Sequence, residues 1–386
     1  MLLPWRCRTR PTVGTDNARP APTLYLSFEL SNRDWKLGFT TGFGQPPRER
    51  TIAARDLSAL AAELTQAQRR FALPAEAPVL SCYEAGRDGF WLHRALTAQG
   101  VTNLVVDSSS IEVNRRRRRA KSDRLDVRKL LTMLLRYATG ERRVWHVVHV
   151  PTPAEEDRRQ LHRELLTTKR DRARVTNRIK GLLASQGVRL ATLARFGIEL
   201  PAVRTWDGTP LPPALTTRLE REWQKVLQLT RQIRTLEAER RELLHTSADP
   251  AVRQVRQLLA LRAIGLESAW LYVMEFFSWR QFANRREVGG LAGLTPTPYQ
   301  SGDLQREQGI TQAGNRLVRA MAIEIAWAWL RWQPESALAR WYNARFGHGS
   351  SRVRRIGIVA LARKLLVALW RYLETGVVPE GAVLKA

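Results

Sequence analysis

The chain has 386 residues, 44% of them hydrophobic, with only two cysteines, which allows two or three domains with packed cores and excludes a disulfide framework or a structural zinc site. Its 63 Lys and Arg outnumber its 36 Asp and Glu by 27, so a polyanionic partner is expected, nucleic acid before any other. No apolar run reaches the roughly 18 residues of a membrane span, and the opening MLLPWRCRTRPTVG is too short in its apolar part for a signal peptide; the expected location is the cytoplasm, on the nucleoid of a bacterial cell.

Residues 1–22 are rich in Arg, Pro and Thr without periodicity and read as a disordered basic tail. From 23 the chain alternates, with Leu24, Leu26, Phe28 and Leu30 on one face and Tyr25, Ser27, Glu29 and Ser31 on the other, the period of a strand. DWKLGFTTG and ERTIAAR are shorter strand candidates. A helix over 58–71, a strand over 77–84, a helix over 89–99, a strand over 103–108 and a helix from about 122 to 137 follow. Three strands and then alternating helix and strand predict an α/β domain with a mixed sheet over 23–150.

The middle of the chain changes period. Leu161, Leu165, Thr168, Arg172, Val175, Ile179 and Leu182 step by fours and threes, and after the Pro-rich turn at 201–213 so do Leu219, Trp223, Val226, Thr230 and Ile233. Two long helices are expected over 151–250, either as a coiled-coil arm that oligomerises the chain or as an ordinary two-helix bundle. From 251 to 386 the pattern is mainly helical, with Ile264-Gly265-Leu266 resembling a helix-hairpin-helix turn whose amides can meet a phosphate. Trp223, Trp270 and Trp327 sit at apolar helix positions and are expected in cores, and His146 and His149 are expected to be structural.

The stretch RRRRRAKSDRLDVRKLL, residues 115–131, sets two aspartates among nine cations. Arg115, Arg116, Arg117, Arg118, Arg119 and Lys121 are candidate phosphate contacts. Asp123 and Asp126, one helical turn apart, are either counter-charges on a solvated basic face or a carboxylate pair for a metal ion. Glu29 on the first strand and Glu84 at the end of a later one favour the second reading. A first-strand acid, a central-strand acid and a pair on the last helix form the layout of a ribonuclease H-like fold, whose acids converge on Mg²⁺.

CYEAGRDGFWLHRALTAQG together with RRRRAKSDRLDVRKLL resembles the acidic motifs of the DEDD transposases of bacterial insertion sequences (the IS110 family, with its IS1111 branch). LAGLTPTPYQSGDLQREQGITQAGNRLVRAM is similar to the C-terminal transposase domain of that family, and the resemblance spans about residues 24–330 in the same order. It implies a RuvC-like domain of ribonuclease H fold, a coiled-coil region and a domain carrying a serine nucleophile. By motif position the acids are Glu29, Glu84, Asp123 and Asp126, holding Mg²⁺, and the serine is Ser301. The chain departs from the family pattern at Glu29, where Asp is usual; the extra methylene displaces the carboxylate by about one bond length.

Read without the family, Ser301-Gly302 is a turn signal, and no histidine nearby in sequence would activate the hydroxyl. The resemblance implies attack of Ser301 on a DNA phosphodiester, a phosphoserine link, and a structured RNA from the element that pairs with donor and target DNA. Arg306, Arg316 and Arg319 are candidate phosphate contacts or solvated helix charges. A homodimer or homotetramer through the arm is expected. The rival readings are a RuvC-like junction nuclease that uses water, and a nucleic-acid-binding scaffold that has lost its metal.

Overall fold

The computed structural model describes residues 22–111, 123–301 and 304–385. The basic tail and Arg115 to Lys121 lie outside the described residues, as do the side chains of Asp123, Ser301 and Arg306. The chain divides into two compact units, one ending at Val150 and one beginning at Pro151.

The first unit is a five-stranded mixed sheet of order β3-β2-β1-β4-β5. Its strands are β1 (Leu24–Leu30), β2 (Asp34–Thr40), β3 (Arg48–Ala53), β4 (Val79–Glu84) and β5 (Thr102–Val106), and its helices α1 (Leu57–Arg70), α2 (Trp91–Ala98) and α3 (Asp123–Ala138). The first three strands form an antiparallel meander, while β4 and β5 join β1 in parallel through crossovers that contain α1 and α2. The alternation read in β1 is realised on both faces. Leu24, Leu26 and Phe28 enter one core with Trp35, Leu37, Phe39, Tyr83, Leu60, Leu92 and Leu96. The other face takes α3, whose Leu130, Met133 and Leu134 pack with Cys82, Val106 and Trp145.

Small residues let α3 approach closely. Ser27 Oγ donates to the Val127 carbonyl at 2.9 Å, and the Cys82 thiol reaches the Leu130 carbonyl at 3.9 Å. At Gly38 an added Cβ would stand 2.5 Å from Val127 Cγ1, so the trough under α3 has no room for a side chain there.

The second unit is mainly helical: α4 (Pro153–Asp157), α5 (Gln160–Ala184), α6 (Phe196–Glu199), α7 (Pro213–Thr246), α8 (Pro250–Leu259), α9 (Leu266–Tyr272), α10 (Arg285–Leu291), α11 (Arg316–Trp332), α12 (Ala337–Tyr342) and α13 (Ser351–Thr375). The two long helices of the expected arm are α5 and α7, and they run antiparallel, since Glu164 meets Gln232 at 3.0 Å and Arg178 meets Glu222 at 2.8 Å. Leu165, Thr168, Val175 and Ile179 are buried along the seam against Leu219, Val226 and Ile233, and Arg172 is half-buried beside it. Helix α6 packs its Phe196 against the arm, and helices α8 to α13 enclose a separate core that contains Trp270, Phe276, Trp329 and the apolar face of α13.

Three expectations change. Residues 296–310 form an antiparallel hairpin, β6 (Pro296–Ser301) with β7 (Leu304–Ile310), within a stretch expected to be mainly helical apart from the turn signal at Ser301-Gly302. Trp327 is 49% exposed, because α11 buries Val318, Ala322, Ile325, Ala326 and Trp329 and its register carries Trp327 outward. The turn between α8 and α9 buries Ile264, but the Gly265 amide already donates to Ser268 Oγ at 3.1 Å, so it is taken within the turn. Trp270 is buried and Trp223 half-buried against Phe196, as expected.

Candidate active site

The first unit gathers its acids where the parallel strands end. The last paired residues of β1 and β4 are Phe28 and Tyr83, both buried on the face away from α3. One residue further, Glu29 and Glu84 stand on adjacent strands, roughly 5 Å apart in the hydrogen-bonding direction. Alternation turns both to the face of Ser27 and Cys82, the face that α3 covers.

The helix contributes the third acid. Val127 and Leu130 are buried against the sheet, which fixes the rotation of α3 and leaves Asp126 at the edge of the contact. Glu29, Glu84 and Asp126 line one cavity of about 410 Å³ with Asp88, Arg87, Ser108 and Lys129. Asp88, the acid that sequence reasoning passed over in AGRDG, lies 3.7 Å from Arg55 and 4.0 Å from Arg87. No described cation lies within ion-pair distance of Glu84 or Asp126. Asp123 opens α3 one turn before Asp126.

The donors are all carboxylate oxygens, the chemistry of a hard cation. Among the described residues no three His, Cys, Asp or Glu side chains close around one point as a metal cage. Mg²⁺ characteristically binds through one or two carboxylates and completes its shell with water and substrate phosphate, so the open cavity and its donors fit that ion. His146 and His149 are both exposed, and the His146 carbonyl accepts the Asp107 amide at 2.9 Å, tying that segment to the end of β5.

In the second unit Ser301 is the last residue of β6 and pairs with Leu304 at the closed end of the hairpin. The base of the hairpin is clasped by two glycines with positive φ. A Cβ on Gly293 would fall inside contact distance of the Ala313 carbonyl, and one on Gly314 inside that of Leu291. Around them Gln312 N donates to the Gly293 carbonyl at 3.2 Å and Asn315 N to the Leu291 carbonyl at 3.0 Å. Asn315 then caps α11 by accepting from the Leu317 and Val318 amides. The G-L-x-P and I-T-x-x-G-N blocks of the sequence are thus the two sides of one clasp. Arg306 lies in β7 opposite Tyr299, Arg316 is exposed at the start of α11, and Arg319 donates to the Ala292 carbonyl at 3.3 Å.

Comparison with known proteins locates this clasp in a family. Residues 255–341 match the model of the transposase IS116/IS110/IS902 family. The chain is 42% identical to a putative transposase, y4rJ, of Sinorhizobium fredii, over 96% of this chain and 98% of that protein. It is 29% identical to the transposase for insertion sequence element IS1328 of Yersinia enterocolitica, over 60% of this chain and 68% of that protein. It is 26% identical to the transposase for insertion sequence element IS1111A of Coxiella burnetii, over 42% of this chain and 43% of that protein.

Proposed function

The chain belongs to the IS116/IS110/IS902 family of transposases, and from that premise we propose that it cuts and rejoins DNA with Ser301 as nucleophile and Glu29, Glu84, Asp123 and Asp126 as the holders of Mg²⁺. The observation that carries this reading is the convergence of Glu29, Glu84 and Asp126 on one cavity. Glu29 and Glu84 do so from a sheet of order 3-2-1-4-5 and Asp126 from the helix packed on it, an arrangement that supports the RuvC-like, ribonuclease H-fold reading.

A bound Mg²⁺ would supply Lewis-acid polarisation of the phosphate. The residues of the chain do the rest. The Ser301 oxygen attacks phosphorus and a bridging P–O bond of the strand breaks. The proton lost by the hydroxyl is balanced by the one gained by the departing sugar oxygen. The phosphoserine ester keeps the energy of the broken bond, and attack by a second strand end rejoins the DNA and frees the serine. The clasp at Gly293 and Gly314 holds the base of the hairpin that presents Ser301.

A structured RNA of the element reads sequence by base pairing in this reading, while the protein holds backbones. The net charge of +27 and the lack of a base-reading motif support that division. Arg115 to Arg119, Lys121, Arg306, Arg316 and Arg319 are the proposed backbone contacts. The antiparallel α5–α7 arm is the proposed oligomerisation element, supported by Ile198 and Trp206, 74% and 81% exposed in the segment that joins the two helices.

The test is denaturing electrophoresis after mixing the protein with Mg²⁺, element-junction DNA and RNA transcribed from the flanks of the element. A DNA-linked protein band in wild type and its loss in Ser301→Ala is the expected result. Equal amounts of free cut DNA in both would overturn the serine assignment in favour of a water-using nuclease.

A further inference from the structure

We propose that Lys129 contacts the phosphate of the DNA strand held at the carboxylate cavity, as a substrate-binding side chain of that site. The inference rests on the reading of the cavity as the cleavage centre and adds to the four acids a cation of the same helix. Lys129 lies one helical turn after Asp126, so the same packing of Val127 and Leu130 that turns Asp126 to the cavity turns Lys129 there too.

Its neighbour shows why the position matters. Arg128, one residue earlier, leaves the cavity and pairs with Glu49 on β3. The other cation of the lining, Arg87, is 61% exposed and lies beside Asp88. Among the described residues Lys129 is therefore the cavity-lining cation with no carboxylate within ion-pair distance. An ammonium that lines a cavity with four acids, within ion-pair distance of none of them, remains available to an anion brought in from outside. A cavity lined by Glu29, Glu84 and Asp126 repels a phosphate, and each positive charge on its wall offsets that repulsion. A lysine suits the task, since its compact charge on a flexible four-carbon stem follows a phosphate oxygen whose position shifts as the strand is cut.

The experiment measures acetylation of the Lys129 amine by mass spectrometry, on the full chain in EDTA, with and without bound element-junction duplex. It is paired with cleavage assays of Lys129→Ala, Lys129→Arg and Asp126→Asn in Mg²⁺ with the flank RNA. Protection of Lys129 by about tenfold is expected in wild type and equally in Asp126→Asn, the scale of a hydrogen bond to a charged group. Lys129→Ala should cut about 10- to 100-fold more slowly, Lys129→Arg should recover most of that loss, and the salt slope of duplex binding should fall by about one in Lys129→Ala. Equal acetylation with and without bound duplex overturns the inference. So does a Lys129→Ala that cuts at the wild-type rate beside an inactive Asp126→Asn. An Asp126→Asn that cuts like wild type overturns the cleavage-centre reading, and this inference with it.

Discussion

Carboxylates are placed in opposite ways at the cavity of the first unit and between the helices of the second. In the first, Glu84 and Asp126 line a cavity, and no described cation pairs with them. In the second, the acids between the helices are consumed. Glu275 receives two bonds from Arg163, at 2.6 and 2.8 Å; Glu267 receives Arg240 and Lys169; Glu237 receives Lys169; Glu222 receives Arg178 and Lys225. The consequence is visible at Glu267, where burial pushes the carboxyl up but the bonds from Arg240 and Lys169 outweigh it and hold the group down at about 2. A chain with so many arginines neutralises an acid wherever it wants structure, so acids left without partners are the ones available to a ligand.

Neutralising one acid of each kind sharpens that contrast. Glu84→Gln is expected to cut the rate of DNA cleavage by about a thousandfold, the scale of losing a group that acts only in the transition state, with no change in melting temperature. Cleavage kinetics and thermal unfolding of the same preparation check both halves, and a Glu84→Gln that unfolds while cutting normally would reverse the assignment. Glu275→Gln should do the opposite. Glu275 is 5% exposed, and its loss leaves Arg163 without its bidentate partner. A cost of about 2–3 kcal/mol in stability is expected, tempered by the partial exposure of Arg163, while cleavage at low temperature stays near wild type.

How far the contrast was legible beforehand follows from what each feature leaves in a sequence. The strand alternation of β1 placed Glu29 opposite the aliphatic core, and the helix spacing put Asp126 on a definable face, so the positions of these two acids were readable from period, whereas Asp88 in its turn was not. The hairpin was not. Pro296 and Pro298 interrupt any strand pattern, and the register irregularity between them accommodates what a regular ladder would refuse. Trp327 misled because α11 is apolar on most of its circumference, and only the packing of Val318, Ala322 and Trp329 decides which side is inward. Lys129 and Arg128 are indistinguishable members of a charge run until Glu49 takes one of them.

The smallest effect tests the root of the arm, where a neutral group sits among the paired charges. His162 of α5 is 1% exposed, and neither ring nitrogen has a hydrogen-bond partner among the described residues. Burial lowers its pKa to about 4, against the opposing pull of Glu267 and Glu275 and with help from Arg240 and Lys169. The folded chain thus holds the ring neutral, while the unfolded chain takes up a proton near the ordinary value of 6.5. Between those values the unfolded state binds more protons, so the stabilising contribution is complete above about pH 6.5 and is lost as pH falls toward about 4. Glu267 adds a separate loss at lower pH, from the carboxylate range down to about 2. His162→Phe removes the titration without removing a bond, so its melting temperature should match wild type near pH 8 and exceed it at pH 5 by the equivalent of about 1–2 kcal/mol. Melting curves from pH 8 to pH 4 measure this directly. A slope between pH 6.5 and 4 that survives in His162→Phe would assign it to the paired network, and would mean that the charges of the second unit are less completely neutralised than their bond lengths indicate.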